Sequence, residues 1–144
     1  MKRVGDGTMK RVGTVFAYTL GLLMVASIAF AGNPHFVVVE ASRTDNTLSV
    51  DFKIAGLGDE EQVHVVLSAE AQCINPGQKH PKAANKESVS AAGDFPVQNG
   101  KAEGTLSVTA TFQPECSPPM TVVFTNVVIT DETSGISRNI PGTF

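Results

Sequence analysis

Residues 48–54, LSVDFKI, alternate apolar and polar side chains without a break. Successive side chains of an extended chain point to opposite faces, so Leu48, Val50, Phe52 and Ile54 make one apolar face while Ser49, Asp51 and Lys53 meet water. A helix would scatter the same residues around its circumference. The period recurs in 62–71, where Val63, Val65, Leu67, Ala69 and Ala71 alternate with Gln62, His64, Val66, Ser68 and Glu70. It recurs again in 105–112, with Leu106, Val108, Ala110 and Phe112 facing in and Thr105, Ser107, Thr109 and Thr111 facing out. All three are expected to be strands of an antiparallel sheet with one solvated face. The Gly-rich, acidic stretch 56–61 between the first two reads as a hairpin connection.

Working outward, the remaining strands are less regular. Residues 35–42 form an opening strand that ends in a turn over Arg43, Thr44, Asp45 and Asn46. Asn99-Gly100 is a strong short hairpin signal, because both residues tolerate the positive φ of a type I′ turn. Between Met120 and Thr130 the inward parity changes, since Met120, Val122 and Phe124 fit one register and Val127 and Ile129 the other. A bulge near Asn126 accounts for the slip. Asp131 to Gly135 then turns the chain into a last short strand, 136–140. Between Cys73 and Phe95 the pattern lapses for more than 20 residues, a length that marks a functional or structureless segment. No helix is expected after residue 31.

The first 31 residues read as an export signal. Lys2, Arg3, Lys10 and Arg11 precede an apolar run from Val15 to Phe30, which closes on Ala29-Phe30-Ala31. Such a small-residue site predicts cleavage before Gly32 and a single domain over 32–144. Met-Lys-Arg-Val-Gly occurs at 1–5 and at 9–13, so Met1 and Met9 are both candidate starts. The competing membrane anchor is disfavoured, because the run falls short of the roughly 20 apolar residues a spanning helix needs. Cleavage removes four basic residues and one acidic one, leaving seven basic against 13 acidic side chains and a net charge of −6. That field repels nucleic acid and anionic membranes. The expected location is extracellular, with no stable anchor after cleavage.

Cys73 and Cys116 are the two cysteines of the chain, and an exported domain is where they would pair. Their bond would close a loop of 42 intervening residues. The alternative, a pair of metal ligands, lacks a second Cys or His at ligand spacing. Seven or so short strands, with turn signals about every ten residues, predict an all-β fold: a two-sheet antiparallel sandwich of immunoglobulin-like architecture with one disulfide. A small β-barrel is the alternative. The chain contains no Trp to pack on an inter-sheet disulfide as antibody domains do.

The stretches CINPG (73–77), AANKE (83–87), FPVQNG (95–100), CSPP (116–119) and TDETSGISRNIPGTF (130–144) resemble a group of small exported proteins frequent in actinobacteria. The resemblance covers most of 64–144. It implies secretion and a paired Cys73 and Cys116, and it implies no catalytic residue.

Candidate chemistry is sparse. His64 is placed on an outward strand face, His80 stands beside Lys79 and Lys82, and no strained G-x-S-x-G nucleophile turn occurs. Paired carboxylates occur at 59–61 and 131–132, but both are in turns, and the chain beyond the signal has no Trp or Tyr to platform a sugar. The same acidic turns raise calcium, although neither has the spacing of a recognised calcium loop. The strongest candidate is the loop after Cys73. There Asn75, Lys79, His80, Lys82, Asn85 and Lys86 gather positive charge and amide donors on an acidic molecule, a combination suited to an anionic group. These observations predict a secreted, non-catalytic binding or interaction module that needs no cofactor or metal and engages an extracellular ligand or protein. A structural, cell-envelope-associated protein is the alternative, and a small secreted hydrolase the distant one.

Overall fold

The computed structural model describes residues 32–76 and 85–144. Seven strands follow in order: β1 His35–Thr44, β2 Thr47–Ala55, β3 Gln62–Ile74, β4 Lys86–Pro96, β5 Ala102–Thr109, β6 Thr121–Asp131 and β7 Ile136–Ile140. They form two antiparallel sheets, one ordered β1-β2-β5 and the other β4-β3-β6-β7. The described residues are all-β, without an α-helix. The expected export segment 1–31 lies outside them.

Each alternating row supplies one wall of the core. Leu48, Val50, Phe52 and Ile54 of β2 are buried, as are Val63, Val65, Leu67, Ala69 and Ala71 of β3 and Leu106 and Val108 of β5. Phe124, Val127 and Ile129 of β6 complete a single cluster that draws on both sheets. Each Leu, Ile or Phe removed from water in this way contributes about 1.5–3 kcal/mol before chain entropy is counted.

Two expectations about connectivity are corrected. The rows of β2, β3 and β5 do not share one sheet, since β3 pairs with β4 and β6 in the other. Residues 56–61 therefore carry the chain across the core instead of turning a hairpin. Gly56 and Gly58 adopt positive φ, Leu57 is buried between them, and the Leu57 N–H donates to the Gly100 carbonyl at 3.0 Å. Asn99 (φ 53°) and Gly100 (φ 71°) do form the predicted tight turn, closed by reciprocal backbone bonds between Gln98 and Lys101. Yet this turn too joins the sheets, because β4 and β5 lie in different ones. Alternation states which face of a strand is buried but says nothing about which neighbour it pairs with.

The expected irregular segment of more than 20 residues is also corrected. Its second half is β4, eleven residues long, and the unpaired connection is confined to 75–85. The inward row of β4 is Glu87, Val89, Ala91, Gly93 and Phe95, half-buried and mostly small. The small residues make room for Phe95. Its ring stacks edge-on against Phe52 of the opposite sheet, centroids 4.8 Å apart, and covers Gly93 and Gly104. A strand made of Ala, Gly and Ser loses the hydrophobic contrast by which alternation is recognised.

The bulge near Asn126 is present. Ser68 faces Val128 and Glu70 faces Thr125, so Ala69 opposes two residues, and Asn126 takes φ 51°. With the bulge, Val122 and Phe124 on one side and Val127 and Ile129 on the other all reach the core. A second bulge, at Val37 of β1, leaves Val37 and Val38 exposed.

Candidate functional site

Cys73 and Cys116 are bonded, with Cα atoms 5.8 Å apart, and the described residues contain no free cysteine. Cys73 lies one residue before the end of β3. Cys116 belongs to the irregular connection 110–120 between β5 and β6, so the bond does not cross the core from strand to strand. It ties the last turn of β3 to the segment that carries the chain from one sheet to the other. Met120 Sδ lies 3.8 Å from Cys73 Sγ and covers the bond from one side. Next to the bond is an open depression of about 340 Å³, lined by Asn46, Thr109, Phe112, Gln113, Glu115 and Cys116.

Of the candidate loop residues, Asn75, Asn85 and Lys86 are described, and Lys79, His80 and Lys82 lie outside the described residues. Gln72 faces Lys86 across the β3–β4 ladder, which brings Asn75 and Asn85 to the same end of the molecule as the disulfide. Lys86 is not a free cation there. Its Nζ stands 3.7 Å from Glu70 Oε1, and Glu70 also accepts a hydrogen bond from Gln72, whose amide reaches Thr125 Oγ1 at 3.1 Å. The neighbouring Glu87 accepts the backbone N–H of Thr111 at 2.7 Å and so fastens the 110–120 connection to β4. The positive charge expected at this end is thus reduced by one pairing among the described residues.

The opposite end carries a cluster that alternation alone did not disclose. His64 Nδ1 is 2.7 Å from Asp94 Oδ1, and His64 Nε2 is 3.9 Å from Glu132 Oε2. Asp94 comes from β4, directly across the ladder from His64, and Glu132 from the β6–β7 turn. The hydrogen bond to Asp94 raises the His64 pKa above the ordinary histidine value. The charges of Asp94 and Glu132 add to this, and slight desolvation opposes it. Backbone bonds lock the turn in place, the Glu132 N–H donating to the His64 carbonyl and the His64 N–H to Thr133 Oγ1, both at 2.9 Å. His64 was expected to stand alone on a wet face. Its partners follow from pairing it with Asp94, which requires recognising β4 as a strand.

Asp131 organises the same turn. It is fully buried at the end of the inward row of β6, and its Oδ1 accepts the N–H groups of Thr133 and Ser134 at 2.9 and 3.2 Å. Gly135, at φ 70°, donates to the Asp131 carbonyl. Asp131 Oδ2 has no partner. The acidic turn 59–61 precedes β3 and so lies at this end as well. Among the described residues no three His, Cys, Asp or Glu side chains come together as a metal would need.

Chemically, the His64 cluster is an ion pair and not a hydrolytic triad: among the described residues each ring nitrogen faces a carboxylate, and neither bonds a hydroxyl or thiol. Comparison with protein-family models, with curated proteins and with solved structures finds no match to this chain.

Proposed function

We propose that the protein is an exported, non-catalytic binding module built as an immunoglobulin-like β-sandwich, with its contact surface at the disulfide-tied end. The observation that carries this reading is the Cys73–Cys116 bond, which holds the end of β3 against the 110–120 connection beside the depression lined by Phe112, Gln113 and Glu115. Irregular backbone held on a rigid sheet scaffold is the usual place for recognition. The sandwich reading is supported by two antiparallel sheets, of three and four strands, that bury one shared core. Export is supported by the basic and apolar segment 1–31 and by the disulfide itself, which persists in oxidising compartments. The carboxylates on both sides of His64 favour binding over hydrolysis.

The proposed ligand is an anionic group on an extracellular molecule or protein, met by Lys79 and Lys82 together with the amides of Asn75 and Asn85. The test is binding of the purified chain to the surface of the producing cells, compared with two variants. One replaces Lys79, Lys82 and Lys86 by Ala, and the other replaces Phe112 and Gln113 by Ala. Loss of binding in either variant, with an unchanged melting temperature, supports the contact surface. Unchanged binding in both removes it and favours a structural role in the cell envelope. A mass spectrum starting at Gly32 is the corresponding test of export, and turnover in a broad hydrolase screen would refute the non-catalytic reading.

A further inference from the structure

The two sheets have four edges, and three of them are guarded in ways that discourage pairing with another chain. β1 is broken by the bulge at Val37, and Arg138 donates to the Phe36 carbonyl at 3.3 Å. β7 is only five residues long and carries Arg138. β5 is eight residues long and places Glu103 in the Lys53 ion pair near its start. β4 differs from all three. It is eleven residues long, its register with β3 has no slip, and its side away from β3 pairs with nothing among the described residues.

Which of its backbone groups are open follows from one bond. The Val97 N–H donates to the Glu61 carbonyl, its direct opposite by the register of the ladder, at 2.9 Å. The odd-numbered residues of β4 therefore bond to β3, and the even-numbered ones turn their N–H and C=O groups to the free edge. Lys86, Ser88, Ser90, Ala92 and Asp94 are those residues, and all five side chains are exposed. Pro96 occupies the next even position, where its missing N–H costs the ladder with β3 nothing. The central three are small and uncharged, with no inward-pointing charge or bulge among them.

We infer that β4 pairs antiparallel with β4 of a second copy of this chain, about a two-fold axis at Ser90, to make one continuous eight-stranded sheet. The sequence of the edge is self-complementary in that register alone. Lys86 lies opposite Asp94 of the second copy, Ser88 opposite Ala92 and Ser90 opposite Ser90, and the same pairs recur on the other side of the axis. Axes at Lys86, Glu87 or Asp94 would place like charges directly opposite each other, which is destabilising. Because paired residues have the same parity, the buried faces of both copies lie on one side of the joined sheet. The free edge of β5 lies on the same flank, as the contacts of Phe95 with Phe52 and Gly104 across the core show. The two-fold therefore brings the second sheets alongside as well. Lys86 and Asp94 already have partners in Glu70 and His64, so their charges select the register more than they supply affinity.

Sedimentation velocity of the full chain, as recovered after any processing, tests the inference over concentrations up to the millimolar range. A concentration-dependent dimer is expected. Ser90→Lys sets two like charges on the axis at an exposed position and is expected to weaken association at least tenfold without changing the melting temperature. Ser90→Cys is expected to form a disulfide-linked dimer on mild oxidation, because opposed residues bring Cα atoms to about 5.5 Å. Ala92→Cys is not, because its copies would be offset by roughly 13 Å along the strands. A chain that stays monomeric throughout, a Ser90→Lys variant that is folded and associates as before, or Ala92→Cys crosslinking as readily as Ser90→Cys would each overturn the pairing.

Discussion

Gly104 sits mid-strand in β5 without a turn or a positive φ to require it, and the structure assigns it one reason: the ring of Phe95 occupies the space where a Cβ would be. Gly104→Ala should therefore destabilise the fold even though alanine is the better strand residue. Overfilling a packed site costs about 1–3 kcal/mol. Against this, losing the excess backbone freedom of glycine returns roughly 0.5–1 kcal/mol. The net loss is about 1–2 kcal/mol, or about 4–8 °C in Tm for a domain of this size. The ring cannot swing aside freely, because it is held edge-on to Phe52. A double-mutant cycle isolates the cause. In a Phe95→Ala background the clash is gone, so Gly104→Ala should become neutral or stabilising, and the coupling between the two sites should reach 1 kcal/mol or more. Thermal unfolding followed by far-ultraviolet circular dichroism, with urea unfolding for the free energies, measures all four proteins. If Gly104→Ala costs the same with and without the Phe95 ring, the packing account of this inter-sheet contact is wrong.

Three further outcomes are expected. Cys73→Ser should lower stability by about 2–5 kcal/mol, since the bond closes a loop of 43 residues; urea unfolding with and without reductant checks this. Asp131→Ala should cost about 1–3 kcal/mol by leaving the N–H groups of Thr133 and Ser134 unbonded, with hydrogen exchange at those two amides rising first. Asp94→Asn should lower the His64 pKa, as followed by the ring proton shifts in NMR. Because that pKa is raised in the folded protein, the ion pair adds stability at low pH and loses it as pH rises through the folded-state value. The difference between the wild type and Asp94→Asn should therefore be largest on the acid side and shrink above neutrality. A difference that grew with pH would contradict the assignment.

Much of the fold is legible in the residues themselves. The rows Leu48 to Ile54 and Val63 to Ala71 declare both strands and which side of each is buried, because side-chain direction in an extended chain depends only on position parity. The slip at Asn126 and the turn at Asn99-Gly100 are local too, each set by a residue that tolerates positive φ. The paired cysteines follow from there being two of them. β4 was not legible in this way, since its inward Ala91 and Gly93 carry no hydrophobic signal of their own and are small for the sake of Phe95.

Local chemistry in this sequence determined where the chain extends, where it turns and which residues leave water. Tertiary structure alone decided that β2 and β3 face each other across a core instead of lying side by side, and that the turn after Gln98 crosses between sheets. It also decided that His64 meets Asp94 and Glu132. Those outcomes depend on partners 30 to 70 residues away, whose approach is settled by burying all the apolar rows at once. No window of sequence contains that condition.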